Sequence, residues 1–149
     1  MPRVSNVLLI RHGESAANAG LPAADAAASP LTELGLRHAR AVAATVPEPP
    51  ALIVVSPYAR AQQTSVPTRE RFPTVPVEEW PVQEFTFLPA AAYRGTTEQD
   101  LLPALEAYWA AADPQRVEGE GAESFAAFLA RVQLVRGRLE TAACARVVI

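Results

Sequence analysis

The sequence predicts an α/β fold with a mainly parallel sheet. Three observations carry this. Short β-branched and leucine-rich runs at Val4–Ile10, Ala51–Val55 and Arg146–Ile149 read as buried strands. Segments with helix signals separate those runs, and such alternation requires crossover connections that bring strands back parallel. The chain has 149 residues, half of them apolar and 19% charged, which suits one globular core and excludes a disordered chain.

The elements follow in order. His12 to Pro30 is small and polar, with Gly13 and Gly20, and reads as loop. Thr32 caps a helix running to about Val46, which Pro47, Pro49 and Pro50 end. After the strand Ala51–Val55, Ser56 and Pro57 read as the cap and first residue of a helix toward Arg71. Pro67 is expected to kink or shorten that helix. Phe72 to Gly95 is Pro-rich and irregular, with a strand near Val75–Glu79. Thr96 and Gln99 have capping-box spacing for a helix through Asp113, weakened by Pro103. Arg116 to Gly121 is a charged loop. Ala122 to Thr141 is the clearest helix, with Phe125, Phe128, Leu129, Val132, Val135 and Leu139 on one face. No repeat or linker divides the chain, so residues 1–149 read as a single domain with an insert over about 72–121.

Composition narrows the chemistry. Alanine and proline are abundant, lysine is absent, and all 13 basic side chains are arginine, a bias that a GC-rich genome would produce. Any anion held by a cationic side chain must therefore be held by arginine or by a protonated histidine. The net charge is −3 and no basic block occurs, which argues against nucleic acid as a partner. The longest apolar runs fall far short of a membrane span, and Val7–Ile10 is too short for a signal peptide's apolar region. A lone cysteine, Cys144, cannot form an intrachain disulfide and fits a cytoplasmic location. Two histidines and one cysteine without metal-type spacing argue against a zinc site.

Two strand ends carry the chemistry. The first strand runs into Arg11-His12-Gly13-Glu14-Ser15, with Asn18 following. Ligands of open α/β sheets bind at the carboxyl ends of strands, which places His12 in a pocket. A neutral imidazole can attack phosphorus and split one hard transfer into two. Arg11 offers a planar fork of donors to phosphoryl oxygens, and Gly13 would let backbone approach an anion. The second strand ends in Ser56-Pro57-Tyr58-Ala59-Arg60. Arg60, near a helix N-terminus, adds a second cation to free backbone N–H groups.

Together these segments resemble the histidine phosphatase superfamily, the phosphoglycerate mutase-like family. Arg11-His12-Gly13-Glu14-Ser15 with Asn18 resembles its first signature. Pro30-Leu31-Thr32 with Gly35 and Ala39 resembles the opening of its first helix. Ser56-Pro57 with Arg60, Ala61 and Thr64 resembles its second signature. Gly121-Ala122-Glu123-Ser124 followed by Arg131 is similar to its later Gly-Glu-Ser helix start. The four occur in the expected order across residues 4 to 149.

The resemblance implies a three-layer α/β/α sandwich and a phosphatase acting on a small phosphorylated metabolite. His12 would be the nucleophile, Arg11 and Arg60 the phosphoryl clamp, and Asn18, Gly13 and Ser15 further contacts to the bound group. Glu84, in Val82-Gln83-Glu84-Phe85, matches the general acid, in preference to Glu78 and Glu79. Arg94 is the candidate contact for a second anionic group of the substrate. His38, inside the first helix, reads as a surface residue. The family needs no metal and no cofactor for this chemistry.

One departure stands out. The family carries a second catalytic histidine in a turn after a late strand, and this sequence has no candidate for it. Arg146–Ile149 resembles the strand preceding that turn, so the expectation is a longer protein of which these residues are most. Without that histidine, turnover should fall by orders of magnitude while anion binding partly survives. The alternatives are a mutase-type phosphotransferase, for which the insert is short, and a catalytically impaired phospho-ligand-binding module. Oligomeric state is not readable.

Overall fold

The computed structural model describes residues 6–22, 25–142 and 146–149. Val4, expected in the first strand, and Cys144 lie outside the described residues. The strands are β1 (Asn6–Leu8), β2 (Leu52–Val55), β3 (Val77–Glu79) and β4 (Arg146–Val148). They form one sheet in the order β1-β4-β2-β3, and every pairing is parallel. The helices are α1 (Glu33–Thr45), α2 (Ala59–Arg71), α3 (Ala90–Tyr93), α4 (Glu98–Ala110) and α5 (Phe125–Thr141).

The apolar run at Arg146–Ile149 becomes a central strand. Val147 pairs with Val7 on one side and Leu52 on the other, and its side chain is fully buried. Side chains alternate across the sheet. Leu52, Val54 and Val147 form one core with Trp80, covered by Val135 and Leu139 of α5. Ile53, Val55 and Val148 point to the other face, where α1 and α2 pack on each other and α2 reaches β2. The predicted layered α/β architecture is the one observed.

Segment 72–121 builds a second, aromatic core on Phe87, Leu88 and Tyr108. The Phe85 ring packs against Tyr108, Trp109, Phe125 and Phe128 at 5.5 to 6.0 Å between centroids. Leu129 and Val132, placed on the apolar face of α5 by their spacing, remain more than two-fifths exposed.

Helix starts differ from the sequence reading for local reasons. Ser56 does not cap α2: its Oγ accepts the Tyr58 N–H at 3.3 Å, closing a turn, and the helix begins at Ala59. Pro67 lies inside α2 without ending it. The capping box of α4 is Thr97 with Asp100, one residue later than expected. Thr96 is engaged elsewhere, its hydroxyl bonded to the carbonyls of Ala92 and Tyr93 at the end of α3. Ser124 caps α5, so that helix starts three residues after Ala122. Thr32 caps α1 as its sequence implies, accepting the Gly35 N–H at 3.1 Å.

Candidate active site

The β1–β4 ladder continues past its strands. Ile149 N–H donates to Leu8 O at 2.9 Å, and Ile10 N–H donates to Ile149 O at 2.7 Å. Arg11 and His12 therefore leave the sheet at its carboxyl edge, the side where β2 hands the chain to α2. Two close approaches hold His12 there. A Cβ at Gly13 would collide with the Gly35 carbonyl, and one at Gly35 with the Glu14 carbonyl. Only glycine lets the loop lie on the first turn of α1. Thr64 of α2 completes the tie: its Oγ1 accepts Gly13 N–H at 3.0 Å and donates to Arg60 O at 2.7 Å.

This brings Arg60 against the imidazole. Arg60 Nε donates to His12 Nε2 at 3.1 Å, its Nη1 donates to Ala26 O at 2.6 Å, and its guanidinium lies 4.7 Å over the Tyr58 ring. His12 Nδ1 is 2.7 Å from Gly13 O. A carbonyl only accepts and an arginine N–H only donates, so the network assigns the proton to Nδ1 and leaves Nε2 its lone pair.

Glu84 closes the cluster. Its Oε1 is 2.8 Å from Arg60 Nη2 and 3.4 Å from His12 Nε2. Partial burial pushes the carboxyl up, but hydrogen bonding with His12 and Arg60 and the guanidinium charge outweigh it, and its pKa falls from 4.5 to about 2. The His12 share of this lowering requires a proton on Nε2; with Nε2 unprotonated, of the two only Arg60 holds the carboxyl down. A proton on Nε2 would make Glu84 its acceptor.

Arg11, His12, Arg60 and Glu84 line one cavity of about 360 Å³, walled by apolar side chains including Ile53, Val55 and Val148. A lone-pair nitrogen, two guanidinium groups and a carboxylate in one recess can attack an electrophile, hold an oxyanion and move a proton.

The remaining predicted residues stand outside that lining. The N–H of Gly13 is already given to Thr64, and the space beside its Cα to Gly35. Ser15 is buried, and its N–H and hydroxyl both donate to Asn18 Oδ1, at 3.2 and 3.1 Å. Asn18 Nδ2 donates to Glu98 Oε1 of α4 at 3.0 Å. Arg94 is exposed at the end of α3. Glu78 and Glu79 accept from Trp80 Nε1 and Gln62 Nε2, away from His12. His38 is an exposed residue of α1.

Comparison with known proteins decides the family. The chain matches the histidine phosphatase superfamily (branch 1) over residues 7–149. It belongs to the histidine phosphatase superfamily. Membership, together with the structures that follow, supports phosphatase or phosphotransferase chemistry. A putative alpha-ribazole-5'-P phosphatase from Escherichia coli is 27% identical, with a TM-score of 0.75 over 98% of this chain and 72% of that one. The alpha-ribazole phosphatase from Shigella flexneri is 28% identical, with a TM-score of 0.74 over 96% of this chain and 71% of that one. A Thermus thermophilus protein at 24% identity shares the fold, with a TM-score of 0.65 over 95% of this chain and 75% of that one. No curated protein matches.

Three residues of this histidine phosphatase escaped the sequence reading of the site. Tyr58 packs under Arg60, Thr64 ties the His12 loop to α2, and Arg131 reaches the segment carrying Glu84. Thr64 and Arg131 fall within the signature segments, which marked their positions but not what they touch. No helix among the described residues is long and apolar enough to cross a membrane.

Proposed function

We propose that this protein hydrolyses a small phosphomonoester through a phosphohistidine formed on His12. The observation that supports it most is the convergence of His12 Nε2, Arg60 and Glu84 within 3.4 Å in one cavity. His12 Nε2 attacks phosphorus. The Nε2–P bond forms as the ester P–O bond breaks, and the leaving oxygen takes a proton from Glu84. Glu84 then accepts a proton from water as the water oxygen attacks phosphorus and the Nε2–P bond breaks. Phosphate leaves, and His12 is again neutral. Arg60 and Arg11 hold the phosphoryl oxygens through both steps and stabilise charge building on them.

Glu84 needs a proton for the first step, yet next to Arg60 it is held ionised. Substrate resolves this. A phosphoryl group that takes His12 Nε2 and the Arg60 donors releases Glu84 from both interactions that lower its pKa, and the burial that raises it persists. Binding thus arms the acid. The chemistry runs on side chains alone, with no metal in any step.

A hydrolysis assay with p-nitrophenyl phosphate and α-ribazole 5′-phosphate tests the reading; the second is chosen because two similar structures bear that substrate's name. Wild-type protein should release phosphate and carry an acid-labile phosphoryl label, and His12→Ala should do neither. A His12→Ala protein that still hydrolyses either ester overturns the proposal.

A further inference from the structure

Glu84 sits on a segment, Pro81 to Thr86, that belongs to no strand or helix. Its backbone carbonyls need partners from elsewhere. One side chain serves three of the six. Arg131 of α5 donates through Nη1 to Pro81 O at 2.8 Å and to Gln83 O at 2.9 Å. Its Nη2 reaches Glu84 O at 3.4 Å and Glu123 Oε1 at 2.5 Å, and its Nε reaches Glu123 Oε2 at 3.3 Å. Glu123 carries the contact onward: its Oε1 accepts the Thr86 N–H at 3.1 Å, and its own N–H donates to Thr86 O at 2.9 Å. Both side chains are largely covered, at 14% and 21% exposure. A planar guanidinium can serve three carbonyls and a carboxylate from one fixed position, which a lysine ammonium does not match.

The far side of the segment is tied to the phosphoryl clamp. Tyr58 Oη and Thr86 Oγ1 share a hydrogen bond of 2.7 Å, and the Tyr58 ring carries the Arg60 guanidinium. The Glu84 carboxylate therefore hangs between two anchors, one on α5 and one at the start of α2.

We propose that Arg131 and Glu123 are positioning residues for Glu84. They fix the height of its carboxylate over His12 Nε2 and so govern the proton transfers, leaving phosphoryl capture to His12, Arg11 and Arg60. The inference rests on the reading of Glu84 as the general acid, and its test separates the two.

The readout is the dependence of kcat/KM on the leaving group. An aryl leaving group such as p-nitrophenolate departs without a proton, whereas the alkoxide of glycerol 2-phosphate needs one. Glu84→Gln should lose about 10²-fold or more on glycerol 2-phosphate and far less on p-nitrophenyl phosphate. Arg131→Gln and Glu123→Gln should show the same selective pattern at about tenfold, a loss within the reach of a misplaced catalytic group. Arg131→Lys should not restore the wild-type ratio. Tungstate affinity should stay within about twofold of wild type in Arg131→Gln, Arg131→Lys and Glu123→Gln, because His12, Arg11 and Arg60 are themselves unchanged. Equal losses on both esters in Arg131→Gln and Glu123→Gln, beside a selective loss in Glu84→Gln, overturn the positioning role alone. An unselective Glu84→Gln overturns the general-acid reading and the positioning role together. If Arg131→Gln fails to fold, Glu123→Gln carries the test, since its amide oxygen can still accept from Thr86.

Discussion

Glu84 Oε1 stands 2.8 Å from Arg60 Nη2, so a carboxylate of the protein fills the donor that a phosphoryl oxygen would use. An anion entering the cavity must displace it. Glu84→Gln should therefore bind tungstate more tightly than wild type, although it hydrolyses esters poorly. Glu84 is 54% exposed, and an ion pair so exposed contributes about 1 kcal/mol or less, so the gain should be about two- to fivefold. Titration calorimetry in buffers of different ionisation enthalpy adds a second check. Wild type should take up protons on binding tungstate near neutral pH, and Glu84→Gln should not. Weaker tungstate binding by Glu84→Gln would show that the carboxylate is not a competitor.

The same pair makes folding stability depend on pH in acid. The folded pKa of Glu84 is about 2, against 4.5 unperturbed. Between those values the unfolded chain holds the proton and the folded chain does not. Stability contributed by Glu84 is thus fully present above pH 4.5 and is lost as pH falls toward about 2. The free-energy gap between wild type and Glu84→Gln, measured by guanidinium unfolding, should close across that window and by no more than about 1 kcal/mol. A gap unchanged from pH 6 to pH 2 would contradict the ion pair.

Much of this was legible in the sequence, and the rest was hidden for identifiable reasons. The strand ends expected at Ile10 and Val55 mark where His12 and Arg60 must emerge, because a parallel sheet delivers all its carboxyl ends to one edge. The apolar run Arg146–Ile149 reads as a buried strand from its side chains alone. Cap register was not settled, since Thr96 with Gln99 and Thr97 with Asp100 offer the same spacing. Asp100 won because its carboxylate takes both the N–H and the hydroxyl of Thr97. The Arg131 contacts span 47 to 50 residues of chain, and no local pattern encodes which carbonyls a distant guanidinium will reach.

The Gly13–Gly35 contact predicts that two small changes are costly. Alanine at either position puts a methyl group into a backbone carbonyl of the opposite segment. Backbone cannot rotate aside as a side chain can, so Gly13→Ala or Gly35→Ala should lose about 1–3 kcal/mol in urea unfolding, the range for overpacking. Both should also lower kcat/KM, because relief of the clash moves His12 away from Arg60. Gly137→Ala is the control, since its added Cβ meets no atom within 4 Å. In the middle of α5, alanine there should be neutral or stabilising by about 1 kcal/mol.

Thr64 gives the sharpest separation of a hydroxyl from its shape. The residue is 6% exposed, and its Oγ1 serves two backbone groups, the Gly13 N–H and the Arg60 carbonyl. Valine keeps the volume and removes the acceptor. The Gly13 N–H is then buried with no partner, at a cost of about 1–3 kcal/mol. The Arg60 carbonyl loses less, because a carbonyl inside a helix has a backbone donor as well. Thr64→Val should therefore unfold at lower urea and bind tungstate more weakly, since the hydroxyl is what couples the His12 loop to the turn carrying Arg60. Thr64→Ser retains the hydroxyl and loses one methyl group, so it should keep tungstate affinity while losing about 1 kcal/mol of stability. Equal tungstate affinity in Thr64→Val and wild type would mean that packing of α1 on α2, and not this hydrogen bond, sets the distance between His12 and Arg60.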